Sequence, residues 1–290
     1  MFQFFANIFG YLLDFINNLV GNYGLAIILF TVVIKLLMLP LSIKQQKTMK
    51  KTAKIQEQLK IIQFKYKNDP EKLNRETMEL YKKENMSPFS GCLSVIMQFI
   101  LLISIFYMVR YPLTYMERVD KNQINTYIQQ MKDDGKTVSE AYSEIDVVRE
   151  IEYLRDKFPE DEKLKEINLN MNFFGLDLSK IPQQNLSDWT VYIIPILYII
   201  STFISMRITT SMQKKSKENK DIIDITEEKQ EEKSEMEDAM EQSNKMMSWM
   251  MPIMSVSISL VAPLGLALYW LVNNVLMIAE RLVLDKIVKE

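Results

Sequence analysis

Apolar positions in this chain come in long uninterrupted blocks separated by charge-dense stretches. About 20 apolar residues in a helix cover roughly 30 Å of hydrocarbon, so each block is the size of a bilayer crossing. The pattern predicts five transmembrane helices, at 22–42, 89–109, 189–208, 246–261 and 264–281. Residues 246–279 carry no charge. One helix of that length would measure about 51 Å, so Pro263 and Gly265 are expected to split it into a tight hairpin of two short spans.

The segments between the blocks read as helices too. In residues 2–20, Gln3, Asn7, Gly10, Asp14, Asn17 and Asn18 fall on one face at 100° per residue, and Phe5, Phe9, Leu12, Ile16 and Leu19 on the other. No basic region and no small-residue cleavage site mark it as a signal peptide. Residues 1–21 are therefore read as an amphipathic helix lying in the outer interface, where a helix without Lys or Arg has no anionic leaflet to seek. Residues 43–88 read as a helical hairpin turning at Asn68-Asp69-Pro70, with Asp69 as cap and Ser87-Pro88 as its end. Residues 110–188 form an enlarged, mostly helical insertion. There Gly135 closes one helix, Thr137 and Glu140 make a capping box for the next, and Phe158-Pro159 ends it. Residues 173–181 (FFGLDLSKI) return the chain in an extended or turn conformation. Residues 209–245 are a charged loop without aromatics before its end, and 282–290 a short tail. The fold class is an all-α polytopic membrane protein.

Charge fixes the orientation. Segment 44–88 holds twelve basic and six acidic residues, whereas 110–188 holds eleven basic and sixteen acidic. Basic residues beside spans stay inside, which puts the hairpin and C-terminus in the cytoplasm and the N-terminus outside. The expected localisation is a bacterial cell membrane.

Composition removes most chemistry. With no His and one Cys, His-based relays, most zinc sites and Cys–His nucleophiles are not available. Cys92 reads as a small packing residue. The acidic residues in or bordering apolar segments are Asp14, Glu280 and Asp285, which offer no intramembrane carboxylate pair for hydrolysis. No Gly-rich phosphate loop occurs. The expectation is a protein that is not an enzyme, with no catalytic residues, cofactor or metal, and no recognition of nucleic-acid sequence.

One position breaks the apolar pattern with consequences. Lys35 is the lone charge in Asn22 to Ile43 (NYGLAIILFTVVIKLLMLPLSI). A Lys near a span centre costs on the order of 2.5 to 3.5 kcal/mol on insertion scales, so such residues face water or a partner. Lys44, the next charge, is roughly 13 Å further along a helix. Pro40 frees the carbonyl of Leu36, placing a second polar group beside Lys35. The two readings are a hydrated site and a side chain that snorkels to the interface.

Three stretches, in this order and spacing, resemble the YidC and Oxa-type membrane protein insertases. They are Gly21-Asn22-Tyr23-Gly24 leading to Lys35 and Leu39-Pro40-Leu41; Ser87-Pro88-Phe89-Ser90-Gly91-Cys92-Leu93 followed by Gln98; and Met250-Met251-Pro252 through Ala262-Pro263-Leu264-Gly265-Leu266-Ala267-Leu268-Tyr269-Trp270-Leu271-Val272-Asn273-Asn274. The resemblance implies a five-helix core around a groove open to cytosol and lipid and sealed outside. In that groove a cation on the first core helix attracts the polar or acidic tail of a client protein. Lys35 takes that place, where the family normally has Arg, keeping the charge but losing the planar fork. Thr31, Gln98, Thr202, Tyr269 and Trp270 are the further client-binding groove positions the resemblance implies. Ordinary helix packing and an aromatic interface belt are their alternatives. Implied partners are newly made membrane proteins with short polar or acidic extracellular tails, membrane lipids and the Sec translocon; the short tail RLVLDKIVKE gives little to hold a ribosome. Rival readings are a secondary transporter or channel built on the helix prolines, and a scaffold that holds partner helices without translocation.

Overall fold

The computed structural model describes residues 2–85, 90–218, 250, 253–254 and 256–287. Helices account for nearly all of its regular structure. The first, α1, is Phe2–Val20. Gly21 at φ +67 ends it, and Asn22 starts the next by accepting the amide of Leu25 through its side chain at 3.1 Å. From there α2 runs unbroken over Tyr23–Lys65, 43 residues with Pro40 inside. The expected first span and the first arm of the hairpin are thus one helix, with no break at 42–43. The turn follows where the proline fixes it. Asp69 accepts the amide of Lys72 at 3.0 Å and α3, Pro70–Lys83, begins with the proline, whose missing N–H no intrahelical bond requires.

After the expected hairpin end at Ser87-Pro88, which lies outside the described residues, come α4 (Ser90–Arg110) and four short helices: α5 (Pro112–Tyr115), α6 (Lys121–Asp133), α7 (Ser143–Arg149) and α8 (Ile151–Lys157). A fifth, α9, is Glu162–Glu166. Two-residue strands β1 (Asn172–Phe173) and β2 (Leu176–Asp177) pair antiparallel, the one departure from helix among the described regular elements. Asp188 caps a 3₁₀ turn, Trp189–Tyr192, by accepting the amide of Thr190. That turn leads into α10 (Ile193–Glu218). Residues 256–261 are the main described part of α11, and α12 is Leu264–Ile287.

Three of the described helices are long and apolar enough to cross a membrane: Tyr23–Thr48, Trp189–Ile208 and Leu264–Leu284. A shorter apolar stretch, Phe99–Arg110, lies in α4. Seven of the sixteen residues of the expected fourth span, residues 219–245 of the expected charged loop 209–245, and the last three residues lie outside the described residues, whereas 209–218 continue α10 as helix. The protein is a predominantly helical membrane protein.

Two compact units are present. One holds residues Met1–Leu37, Gln98–Thr202 and Ser255–Met277; the other Met38–Met97, Phe203–Met254 and Ile278–Glu290. Within the first, the apolar core runs from α1 through the 110–188 insertion to the start of α12. In the second, Ile55, Leu80 and Leu284 are buried.

Two expectations need correcting. The wet and dry faces of α1 are not the ones its polar residues suggest: Gly10 and Asn17 are buried, while Phe4, Tyr11, Phe15 and Leu19 are exposed. Gly10 lets α1 sit so close to α5 that any Cβ there would overlap the Tyr115 carbonyl. The buried Asn17 donates to the carbonyl of Asn168 at 3.1 Å, so its burial leaves the donor satisfied. The capping box at Thr137 and Glu140 also fails, because α7 starts later, at Ser143. Asp146, inside α7, reaches back to accept the amide of Ser139 at 2.7 Å, which holds 137–140 out of helix. Gly135, at φ +75 just after α6, accompanies two closing bonds, its own amide to Lys132 and that of Lys136 to Met131.

Candidate intramembrane site

The sequence-predicted residues fall into two groups and an outlier. Thr31 and Lys35 share a face of α2, one turn apart. Thr31 is buried and its hydroxyl donates to the carbonyl of Ile27 at 2.6 Å, so its own helix takes up its donor. Lys35 is half-buried. On the helical wheel the buried face of α2 is centred on Ile27 and Ile34, and the face of Leu25, Leu29 and Leu36 is exposed. Lys35 lies on the flank between them, so its stem is covered on one side by protein.

The second group lies on α10 and α12. Thr202 is half-buried, donates to the carbonyl of Tyr198 at 2.9 Å, and accepts from the Asn274 amide at 3.2 Å. Ser201 repeats the pattern at 2.7 Å and 3.0 Å. Trp270 is half-buried, its ring tilted over Tyr198 with centroids 6.1 Å apart, and Tyr269 is buried in the core. The outlier is Gln98, placed on α4 with its side chain outside the described residues, as is that of Cys92.

Asn274 is the residue sequence reasoning missed as a site position. It is buried and its amide group donates to two hydroxyls on another helix. Its signal was present: an Asn pair within an uncharged run, opposite a Ser-Thr pair in the third span. In hydrocarbon such bonds are interhelical glue.

The amino ends of α2 and α12 are closed by main chain. The first amides of a helix have no partner within it. Here Tyr23 N–H donates to the carbonyl of Asn170 at 3.0 Å, Leu264 N–H to Lys180 at 2.9 Å and Gly265 N–H to Leu178 at 2.9 Å. The Asn22 side chain donates to the carbonyl of Asn172 at 2.7 Å. Lys180 also donates to Asp188, before the third span, at 2.8 Å. That bond and those from Thr190 hold the Asp188 carboxyl down at about 2. One segment, 168–180, therefore meets the amino ends of α2 and α12, and ties to the start of α10.

A family model described as 60Kd inner membrane protein matches residues 15–290. The chain belongs to that family. It is the YidC and Oxa-type family whose motifs the sequence carries. Among curated relatives, the Membrane protein insertase YidC of Caldanaerobacter subterraneus subsp. tengcongensis is 49% identical over 104 residues, 36% of this chain and 50% of that protein. The Membrane protein insertase YidC of Francisella tularensis subsp. novicida is 42% identical over 109 residues, 38% of this chain and 20% of that protein. The chain thus matches half, or a fifth, of the length of these relatives. Family membership places Lys35 and the α10–α12 pair in a protein of that membrane-protein family, and among the described residues no cluster of metal-ligating side chains occurs.

Proposed function

We propose that the protein is a membrane protein insertase that brings short polar client tails across the bilayer through a hydrated, cation-bearing groove. What carries the reading is a single observation, a Lys in mid-span that lies half-buried on the flank of a helix face. A cation there lowers the cost of moving an acidic or polar tail halfway across, because the tail exchanges hydration for a fixed charge rather than for hydrocarbon. The client's apolar segment then leaves along the protein into lipid, and its burial drives release of the tail. Thr31, Gln98, Thr202, Tyr269 and Trp270 belong to the proposed groove. Thr202 and Trp270 act there as wall, through Asn274 and Tyr198, rather than as contacts. In the proposed topology five spans leave the N-terminus outside, the hairpin and tail in the cytoplasm, and the 110–188 insertion on the outer face.

The test is insertion of a small client with an acidic tail into vesicles holding the purified protein. Lys35→Ala should abolish most insertion while the melting temperature in detergent stays near that of the parent, and Lys35→Arg should retain it. A scaffold that does not translocate would keep its activity in a folded Lys35→Ala protein, and that result rejects the proposal. Solute uptake or conductance by the same vesicles would favour a transporter or channel instead.

A further inference from the structure

The tip of the β1–β2 hairpin is built against its own backbone preference. Phe173 pairs with Leu176, leaving Phe174-Gly175 as a two-residue loop with φ of +50 and +81. A turn with both central residues at positive φ favours Asn-Gly or Gly-Gly, because a Cβ strains the first position. Phe is a poor choice there, and strain of this kind persists where something offsets it. Packing within the described residues offsets little of it, since Phe174 is 87% exposed and its printed ring contact is with its neighbour Phe173.

Its depth can be read from its neighbours. The Phe173 ring lies so close over Gly24, in the first turn of α2, that any side chain at 24 would overlap it. The Phe174 ring stands edge-on to that ring, 4.7 Å between centroids. Asn172 is bonded to Asn22 at the mouth of the same span. The exposed aromatic therefore sits at the level of the first turn of a membrane-crossing helix, whose Leu25 is itself exposed on the surface. Trp189, which opens the third span, is 73% exposed and Leu186, just before it, 70%.

We propose that Phe174, together with Leu186 and Trp189, inserts into the lipid interface of the leaflet on the insertion's side, seating the 110–188 insertion on the membrane. The occupant is lipid, at the boundary of headgroups and acyl chains, where exposed aromatic and apolar side chains at a span mouth are stabilised. The strained turn directs the ring outward, and partition of the ring offsets the strain.

Two reporters in the full chain test this. The chain has three tryptophans, so Trp249→Phe with Trp270→Phe leaves Trp189 as the sole one. Adding Trp189→Phe and Phe174→Trp moves the reporter to the tip. In phosphatidylcholine and phosphatidylglycerol vesicles, both reporters should emit at shorter wavelength, lose emission to phospholipid brominated near the top of its acyl chains, and resist aqueous iodide. A tryptophan at 174 that iodide reaches and bromine does not overturns the proposal, as does lipid quenching that appears only with a client present. Phe174→Asn gives an arm independent of that reporter's folding. Asn suits the turn better, so a tip with no lipid contact should exchange its 170–180 amides at the same rate or more slowly. Faster exchange in vesicles is the result expected, and unchanged or slower exchange overturns the proposal.

Discussion

A methyl group at position 10 is enough to probe how α1 is seated. Gly10→Ala should cost about 1 to 3 kcal/mol, the usual range for overpacking, because the overlap is with the Tyr115 backbone and cannot be relieved by a rotamer change. Thermal unfolding in detergent measures it. Glu117, two residues on from Tyr115, supplies a pH signature. Burial, and then the charge of Asp14, push its carboxyl up to about 7, against opposing help from Lys163 and Arg118. With the folded value above the unfolded 4.5, the folded state holds the extra proton between them, so this group's contribution to stability falls as pH rises from 4.5 to about 7. Glu117→Gln should flatten that part of the profile and melt later than the parent above pH 7. Residues of this kind were only partly legible. Lys35 could be found because an isolated charge in an apolar run has few explanations. Gly10 and Asn17 could not, because a wheel of α1 records polarity and not the carbonyls of Asn168 and Tyr115 that receive them.

Elements were more legible than their joints. Three of the five expected spans and the Asp69-Pro70 turn follow from local pattern, hydrophobic length in one case and cap chemistry in the other. Asp69→Ala should cost about 1 kcal/mol, the usual value of an N-cap, and speed amide exchange in the first turn of α3. The continuity of α2 through Pro40 was not legible: a proline inside a periodic pattern signals a stop as readily as a tolerated gap. The false capping box at Thr137 shows the same limit, since its spacing was right and a distant carboxylate, Asp146, held the backbone elsewhere. Between elements, Asn274→Ala should weaken the α10–α12 contact by roughly 0.6 to 1.7 kcal/mol, the span measured for hydrogen bonds between membrane helices. Graded unfolding of purified protein in mixed detergent micelles reads that difference.

For the molecule as a whole, the proposed orientation and the proposed cargo make one joint prediction. A potential positive outside assists an acidic tail by about 2.3 kcal/mol per charge per 100 mV if the charge crosses fully. Dissipating the potential should therefore slow insertion of acidic tails and leave neutral ones unaffected, as measured by protease protection in vesicles. Family and broad architecture were legible because separated motifs keep their order; the role of segment 168–180 was not, since it works through carbonyl oxygens that any side chain leaves in place. That segment carries a consequence for biogenesis. The amide of Tyr23 has its acceptor 147 positions later, at Asn170. At roughly 5 to 20 residues per second, translation delivers that acceptor about 7 to 30 s after Tyr23 is made. Throughout that interval the first amide of the span has no native acceptor, so the native closure of that turn waits until residue 170 has been made.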